Sequence, residues 1–281
     1  MEIATHYRQY YPTALLAECI ECYWVLRSPS HAPSPYRQER LIPGGRVEMI
    51  FNFGAPLHWL ISSNNPDGIR ISNTHFMGQR DRIYYGRYTG ATDMLGIRFK
   101  TGGLTTLAAL PLSSLLNKMI PAEDILGPTV KEWETRLYEQ ANDTARINLL
   151  DHLLLNQMVK KTPVQPAVQQ AVDFIRINEN PTPIAAFCEQ AGWSYKRLER
   201  LFLKEVGYTP KAWHRLIRFN KALRQMTTAK DESLTGICYE CGYYDQSHFI
   251  KDFSRYAGTT PGRFQAEDHS IAGLLIRHQP V

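Results

Sequence analysis

The spacing of apolar residues changes character once along the chain, and the change marks its organisation. Between Glu39 and Phe99 apolar positions come in short runs: Glu39 to Pro43, Val47 to Asn52 with Val47, Met49 and Phe51 alternating, Leu57 to Ser62, His75 to Gln79, Arg82 to Tyr88 and Asp93 to Phe99. Gly-, Pro- and Asn-rich turns divide them, among them Gly44-Gly45. Alternation at period two predicts strands, and a series of short strands predicts a small antiparallel barrel or a cupin-like sandwich. Ahead of these runs, Leu15, Leu16, Cys19, Ile20 and Tyr23 recur at helical spacing and predict an amphipathic helix, followed by the proline-rich loop Ser28 to Pro35.

Beyond Phe99 the period becomes helical. Leu104 to Leu110 and Pro111 to Leu116 predict short helical segments, and Val130 to Gln140 and Thr144 to Val159 longer helices. The last carries the stripe Ile147, Leu150, Leu154 and Met158, which fits either packing on its own domain or pairing with a second subunit. Lys160 to Pro166, with Pro163 and Pro166, reads as a linker.

After the linker the same pattern occurs twice. Ile184, Cys188, Ala191, Gly192, Trp193, Leu198, Phe202, Gly207, Pro210 and Trp213 are matched by Leu234, Cys238, Cys241, Gly242, Tyr243, Phe249, Phe253, Gly258, Pro261 and Phe264. The offset is 50 residues up to the Gly-aromatic pair and 51 after it, so one residue is inserted at the start of the second long helix. Each copy reads as helix, turn, helix. In the first, Thr182-Pro183 starts a helix with Ile184, Phe187 and Cys188 inward, Gly192 closes it, and Ser194 caps the next. In the second, Gly242 makes the turn and Asp245 the cap. A leading helix, Gln165 to Ile177, turns Val168, Val172 and Ile175 inward, and Lys211 to Met226 joins the two units.

A duplicated helix-turn-helix presents two helices to DNA from one chain. Burial of Leu198, Leu201 and Phe202 leaves Lys196, Glu199, Arg200 and Lys204 outward, where Lys and Arg suit guanine O6 and N7 and Glu suits cytosine N4. Burial of Phe249, Phe253 and Tyr256 leaves Gln246, Ser247, Ile250 and Lys251 outward; Gln246 suits adenine and Ile250 a thymine methyl. Ser194, Arg197, Lys204, Arg218, Arg255 and Arg263 are the candidate phosphate contacts. For His248, half-buried packing competes with phosphate contact.

Charge supports this through its distribution. The formal net charge is only +5, but residues 194 to 225 hold nine Lys/Arg against Glu199 and Glu205, or +7. The second copy is less basic, with Lys251, Arg255 and Arg263 against Asp245 and Asp252. The two copies are therefore alike in core and unlike in surface, which predicts an asymmetric DNA site.

At these residues the chain resembles the AraC/XylS family of bacterial transcription regulators. The resemblance is strongest from Gly242-Tyr243-Tyr244-Asp245-Gln246 through Phe253 and at Ala257-Gly258-Thr259-Thr260-Pro261, and it extends to Gly192-Trp193-Ser194-Tyr195-Lys196-Arg197-Leu198 through Phe202. It implies a seven-helix DNA-binding domain in which Lys196, Glu199, Arg200, Gln246, Ser247 and Lys251 meet bases or phosphates. Cys188 and Cys238 stand where the family commonly has alanine, and Glu199 is acidic where many members are neutral or basic. Tyr23-Trp24, Arg40-Leu41-Ile42-Pro43-Gly44-Gly45, Ile50-Phe51-Asn52 and Gly96-Ile97-Arg98-Phe99 are similar to an N-terminal domain of a subset of the family.

The expected architecture is α+β: a β-rich barrel or cupin-like sensor-type domain with flanking helices (1–160), a linker (161–166), an all-α double helix-turn-helix domain (167–266) and a tail (267–281). The expected partner is double-stranded DNA at two successive major-groove segments. A small-molecule effector between the strands, with Trp24, Glu48, His58 and Arg98 as lining, is the second expectation, although Glu48 and Arg98 suit a structural ion pair equally. RNA polymerase and a second copy of the chain are candidate partners. The rival readings are a DNA-binding or architectural protein without an effector pocket and, more remotely, a cupin-like enzyme fused to a DNA-binding domain. Against catalysis, there is no HExxH, Gly-x-Ser-x-Gly or phosphate loop, and only His58 and His75 fall between residues 39 and 99.

The five cysteines do not suggest a disulfide framework. Cys19-x-x-Cys22 and Cys238-x-x-Cys241 have metal or redox spacing, yet a Cys₄ zinc site would have to bridge both domains. Structural burial is the favoured reading, a redox role the alternative, and no metal or cofactor is expected. Without a secretion-type opening or a run of eighteen apolar residues, the expected location is the cytoplasm, in association with the nucleoid.

Overall fold

The segment expected to form the first helix instead leads into a nine-residue strand buried on both faces. The computed structural model describes residues 5–29, 37–63, 68–158, 165–177, 183–228 and 232–266. Its N-terminal part contains β1 (His6–Tyr10), β2 (Ile20–Ser28), β3 (Arg37–Leu41), β4 (Glu48–Asn52), β5 (Leu57–Leu60), β6 (Ile69–Arg70), β7 (Thr74–Met77), β8 (Tyr84–Tyr88), β9 (Thr92–Phe99) and β10 (Met119–Pro121). Among the described residues before β2, only Leu16–Glu18, a 3-10 turn, is helical. In β2 Tyr23 and Val25 face one core cluster while Trp24 and Leu26 face another. A strand buried on both faces shows no alternation, and its continuous apolar run mimics a helix stripe.

The strands form two antiparallel sheets, ordered β1-β2-β9-β4-β7-β10 and β3-β8-β5-β6. They do not close, so the barrel alternative gives way to an open sandwich. One face of the larger sheet presents Tyr23, Val25, Met49, Phe51, Leu95 and Ile97 to a helical layer. That layer comprises the 3-10 turns Gly103–Thr106 and Leu112–Leu115, then α1 (Glu123–Leu126), α2 (Thr129–Tyr138) and α3 (Asp143–Gln157). Ile147, Leu150 and Leu154 of α3 are buried in this core, and Met158 packs on it, so the stripe serves its own domain. Buried polar groups tie the layers: Asp151 of α3 accepts from the Tyr23 hydroxyl and, at 3.0 Å, from the Thr13 amide. Asp143 holds Arg27 through hydrogen bonds of 2.6 and 3.0 Å. The other face, bearing Trp24, Leu26, Ile50, Met77 and Met94, packs on the smaller sheet through Leu57 and Tyr88.

The C-terminal part is all helical: α4 (Pro166–Ile177), α5 (Pro183–Ala191), α6 (Tyr195–Glu205), α7 (Pro210–Thr228), α8 (Leu234–Glu240), α9 (Gln246–Ala257) and α10 (Pro261–Ala266). The single inserted residue appears as helix length: α6 has 11 residues and α9 has 12. One core runs through both units: α7 contributes Trp213, Leu216, Phe219, Leu223 and Met226 to it, and Phe219 meets Phe253 and Tyr256 of the second unit. Glu205, within the apolar face of α6, is buried for a reason: its carboxylate accepts the Gln165 amide at 2.8 Å, just ahead of α4. Most of the expected linker, the Thr182 start of α5 and the 267–281 tail lie outside the described residues, as does most of the Ser28 to Pro35 loop.

The two parts share a built interface. Ile42 belongs to the C-terminal core cluster. A strap of the N-terminal part, residues 79 to 83, grips both helix-turn-helix units. The Gln79 side chain donates to the Val206 carbonyl at 2.9 Å, and the Tyr208 hydroxyl donates to the Arg80 carbonyl at 2.9 Å. Arg255 at the end of α9 donates to the Asp81 carbonyl at 2.9 Å and to its carboxylate at 2.8 Å, while the Ile83 amide donates to the Arg255 carbonyl at 3.2 Å. Asn117, at φ 60, steadies the strap by accepting from the Asp81 amide and donating to its carboxylate, at 3.0 and 2.9 Å.

Candidate nucleic-acid interface

Each helix-turn-helix turn is set by a glycine that other residues would strain. Gly192 has φ 65 and Gly242 φ 74, the left-handed region open to glycine at least cost. After each turn a polar side chain caps the outward helix. Ser194 Oγ accepts from the Arg197 amide at 3.3 Å, and Asp245 Oδ1 from the His248 amide at 2.7 Å. The aromatic residue after each glycine then packs inward: Trp193 meets Phe187 edge to face at 6.2 Å, and Tyr243 stands 5.2 Å from Phe249. Buried backs and capped starts hold α6 and α9 rigidly, each with one polar face outward.

On α6, Lys196 and Arg200 are exposed, and Glu199 is half-buried, accepting from the Tyr195 hydroxyl at 3.1 Å. Ser194, Arg197 and Lys204 are exposed, with the Arg197 guanidinium 4.4 Å from the Trp193 ring centre. On α9, Gln246, Ser247, Ile250 and Lys251 are exposed, and the Gln246 amide donates to Thr235 Oγ1 at 2.8 Å. Thus the base-reading residues proposed for each unit share that unit's outward face. Arg255 and Arg263 are exposed, but Arg255 is engaged by Asp81.

Arg218 is placed differently. Its guanidinium lies 4.7 Å from the Tyr243 ring, donates to the Gly242 carbonyl at 3.2 Å and stands 3.5 Å from Asp252. His248 reaches the same carboxylate at 3.4 Å and stands edge-on to Tyr243. Arg218 therefore braces the second turn, and His248 takes the packing position. Spacing in the sequence could not show this, because the partners converge from α7, the turn and α9.

The proposed effector lining is divided. Register places Arg98 opposite both Glu48 and Cys22, and Ile50 opposite Gly96, which also opposes Trp24. Trp24, Glu48 and Arg98 therefore share the inner face of the larger sheet. His58 alternates with Leu57 and Trp59, which pack inward, so it falls on the opposite face of the smaller sheet and does not join them. Arg98 is buried and donates to Glu48 at 2.7 Å, with Glu21 at 3.8 Å: an ion pair, as the alternative reading had it. Burial works against the Arg98 charge, but Glu48 outweighs it and the pKa rises.

Sequence reasoning missed the strap residues Gln79, Arg80, Asp81 and Asn117, whose signal lies only in their three-dimensional partners. It also missed a cleft of about 760 Å³ in which Pro111 and Ser113 stand across from Lys196, Glu199 and Arg200. All four cysteines of the two pairs are buried, and burial pushes the Cys22 and Cys241 thiols up to about 12. Among the described residues no group of three or more His, Cys, Asp or Glu is arranged to hold a metal ion.

A family model described as a helix-turn-helix domain matches residues 187–267, and a domain of unknown function, DUF6597, matches residues 8–121. The chain carries an AraC-type helix-turn-helix domain. Among curated relatives, the HTH-type transcriptional activator RhaR of Klebsiella pneumoniae is 32% identical over 33% of this chain and 32% of its own length. The bifunctional transcriptional activator/DNA repair enzyme Ada of Escherichia coli is 32% identical over 43% of this chain and 34% of its own. The arabinose operon regulatory protein of Salmonella typhimurium is 27% identical over 43% of this chain and 45% of its own. The chain thus spans a third to under half of these relatives' lengths. Among solved structures, ToxT from Vibrio cholerae superposes with a TM-score of 0.48 at 12% identity, covering 82% of this chain and 97% of that one. Among the described residues no helix is long and apolar enough to cross a membrane.

Proposed function

We propose that this protein is a sequence-specific double-stranded DNA-binding transcription regulator whose AraC-type domain reads an asymmetric site and whose N-terminal sandwich responds to a small molecule. The observation that carries the reading is the pair of equivalent helices, α6 and α9. Each is capped, backed by one shared core and outward-facing with exposed polar side chains. Lys196 and Arg200 would read guanine and Gln246 adenine, with Glu199, Ser247, Ile250 and Lys251 completing the contacts and Ser194, Arg197, Lys204, Arg255 and Arg263 meeting phosphates. Two such helices on one body engage successive major-groove segments about 34 Å apart on straight DNA, or closer on a bent duplex. The relatives named as transcriptional activators support the regulatory role; on this reading the protein works in the cytoplasm, and RNA polymerase and a second copy of the chain are candidate partners.

The test is selection of bound sequences from a random DNA pool by the full chain. The expected product is one non-palindromic site with two unlike half-sites, guanine-containing and adenine-containing. Recovery of unrelated sequences, or of binding driven by charge alone, would refute the reading.

A further inference from the structure

The part of the N-terminal domain that faces the first recognition helix carries no negative charge. Across the cleft beside α6, Pro111 and Ser113 stand opposite Lys196, Arg197, Arg200 and Lys204, while Glu199 accepts from the Tyr195 hydroxyl. Residues 100–118, which supply that wall, contain Lys100 and Lys118 and no Asp or Glu. A wall that kept DNA away by charge would need carboxylates, which repel phosphates and pair with the cations they cover. Here the cleft of about 760 Å³ is open, and among the described residues no hydrogen bond or ion pair crosses it to Lys196 or Arg200. The Ser114 hydroxyl is spent on the Pro111 carbonyl at 2.7 Å, but that of Ser113 has no partner among the described residues.

The wall is tied to the helix it faces. Leu116 packs on the C-terminal core, and the Asn117 amide donates at 2.7 Å to the carbonyl of Gln79, whose side chain holds Val206 at the end of α6. The same strap sets Arg82, its side chain 55% exposed, beside the second unit. One Asp81 carboxylate oxygen accepts from Arg82 Nε at 3.0 Å and the other from Arg255 Nη2 at 2.8 Å. Two guanidiniums on one carboxylate leave one positive charge in excess at the end of α9.

A helix about 10–12 Å across fills a major groove about 12 Å wide, so a sugar-phosphate strand runs along each of its flanks. For α6 one flank is the cleft, with base-reading cations on one side and an uncharged hydroxyl on the other. We propose that the N-terminal part belongs to the DNA interface: Ser113 donates to the phosphate strand that enters the cleft beside α6, and Arg82 meets a phosphate beside Arg255. Neither contact reads a base, so both add affinity and register without changing the sequence preferred. The proposal rests on the regulator reading and extends it, because it gives DNA contacts to the domain read as the sensor.

The experiment uses the full chain and the DNA site it selects, with affinity measured by anisotropy over a series of salt concentrations. Ser113→Lys puts a cation against the phosphate strand; it should tighten binding and steepen the slope of log affinity against log salt by about 0.9. Arg82→Ala is made in the Asp81→Ala chain, so that Asp81 cannot draw Arg255 away; it should weaken binding to all sequences alike and flatten the slope by about 1. Unchanged thermal melts confirm that the variants are folded. A benzophenone amino acid at Ser113 and, separately, at Ser114 should cross-link to DNA beside the first half-site, whereas the same group at Tyr138, on the exposed side of α2, should not. An unmoved slope in either variant overturns the contact at that residue. A chain that binds the site yet cross-links from neither Ser113 nor Ser114 overturns the interface and makes the wall a barrier that leaves before DNA enters. If the unaltered chain selects no DNA sequence, the regulator reading itself fails, which the cross-links alone would not show.

Discussion

Arg255 cannot hold Asp81 and a DNA phosphate with the same nitrogens, so replacing Asp81 by alanine should tighten DNA binding. In the structure the Arg255 guanidinium spends Nη2 on the Asp81 carboxylate at 2.8 Å and Nε on its carbonyl at 2.9 Å. The carboxylate pair crosses a partly open surface, with side chains 47% and 20% exposed, so it contributes only about 0.5–1 kcal/mol. The partly buried hydrogen bond from Asn117 at 2.9 Å stiffens the strap and contributes about 0.5–1.5 kcal/mol more. Loss of both loosens the clasp by about 1–2.5 kcal/mol, a ceiling of roughly 5- to 70-fold in the competition with DNA. The Gln79–Val206 and Tyr208–Arg80 bonds remain, so the lower part of that range is expected. Anisotropy with the selected site at one fixed salt concentration measures it, since phosphate contacts depend on salt. Arg255→Ala is the companion: it also opens the clasp but removes the phosphate contact, and should bind more weakly than Asp81→Ala. Asp81→Ala binding that is weaker than, or within a factor of about two of, the unaltered protein would show that the clasped arrangement is itself the DNA-binding form.

Further outcomes follow from the same contacts. Arg200→Ala should cost about 1–3 kcal/mol and relax selectivity in the first half-site, whereas Arg218→Ala should lower the melting temperature and weaken binding to all sequences, because Arg218 braces Gly242, Tyr243 and Asp252; competition with altered half-sites and thermal melts separate the two. His75 is buried, and burial lowers its pKa from 6.5 to about 4, so the unfolded chain binds more protons between those values; stability should be complete above pH 6.5 and fall as pH drops toward 4, by at most about 3 kcal/mol from this group. Urea unfolding at several pH values tests this, and an unchanged slope in His75→Gln would contradict it. Burial alone would raise the Asp81 pKa, but hydrogen bonds from Arg82 and Asn117 and the charges of Arg82 and Arg255 outweigh it and lower the value; its contribution to the clasp should therefore hold above the ordinary aspartate pKa of about 3.9 and be lost only as pH falls through the depressed one. Cys22 and Cys241, with thiols raised to about 12, should resist iodoacetamide at neutral pH in the folded protein; rapid labelling counted by mass spectrometry would restore the redox reading.

The C-terminal domain was legible because its signals are local. Gly192 and Gly242, the caps Ser194 and Asp245 and the apolar backs of α6 and α9 sit within a few residues of what they determine. The strands from residue 39 to 99 were legible for the same reason, their alternation being visible in short windows. β2 was not, since burial of both its faces, one under the helical layer and one against the smaller sheet, erases alternation. The roles of Arg218 and His58 were not either. One depends on partners in three separate segments, the other on which side of a pleat the chain enters β5. The strap was invisible altogether: Gln79, Arg80 and Asp81 follow a strand end and look like a polar turn until Val206, Tyr208 and Arg255 are brought beside them.

That strap alters what the duplication means for function. The two units share one core along α7, so each already positions the other through Phe219, which stands 5.4 Å from Phe253 and 4.9 Å from Tyr256. The N-terminal part adds a second, external tie: it holds the first unit where α6 meets α7, at Val206 and Tyr208, and the second at the end of α9, at Arg255. A body bound at both places constrains the angle between the recognition helices as well as access to them. Release of the strap should therefore change tolerance for half-site spacing along with affinity, whereas a mask over α6 alone would change affinity and leave the spacing preference as it was. Selecting DNA with Asp81→Ala beside the unaltered chain separates these: a broadened spacing distribution identifies the strap as an angular constraint, and an unchanged one leaves Pro111 and Ser113, across the cleft from Lys196 and Arg200, as the element that governs access.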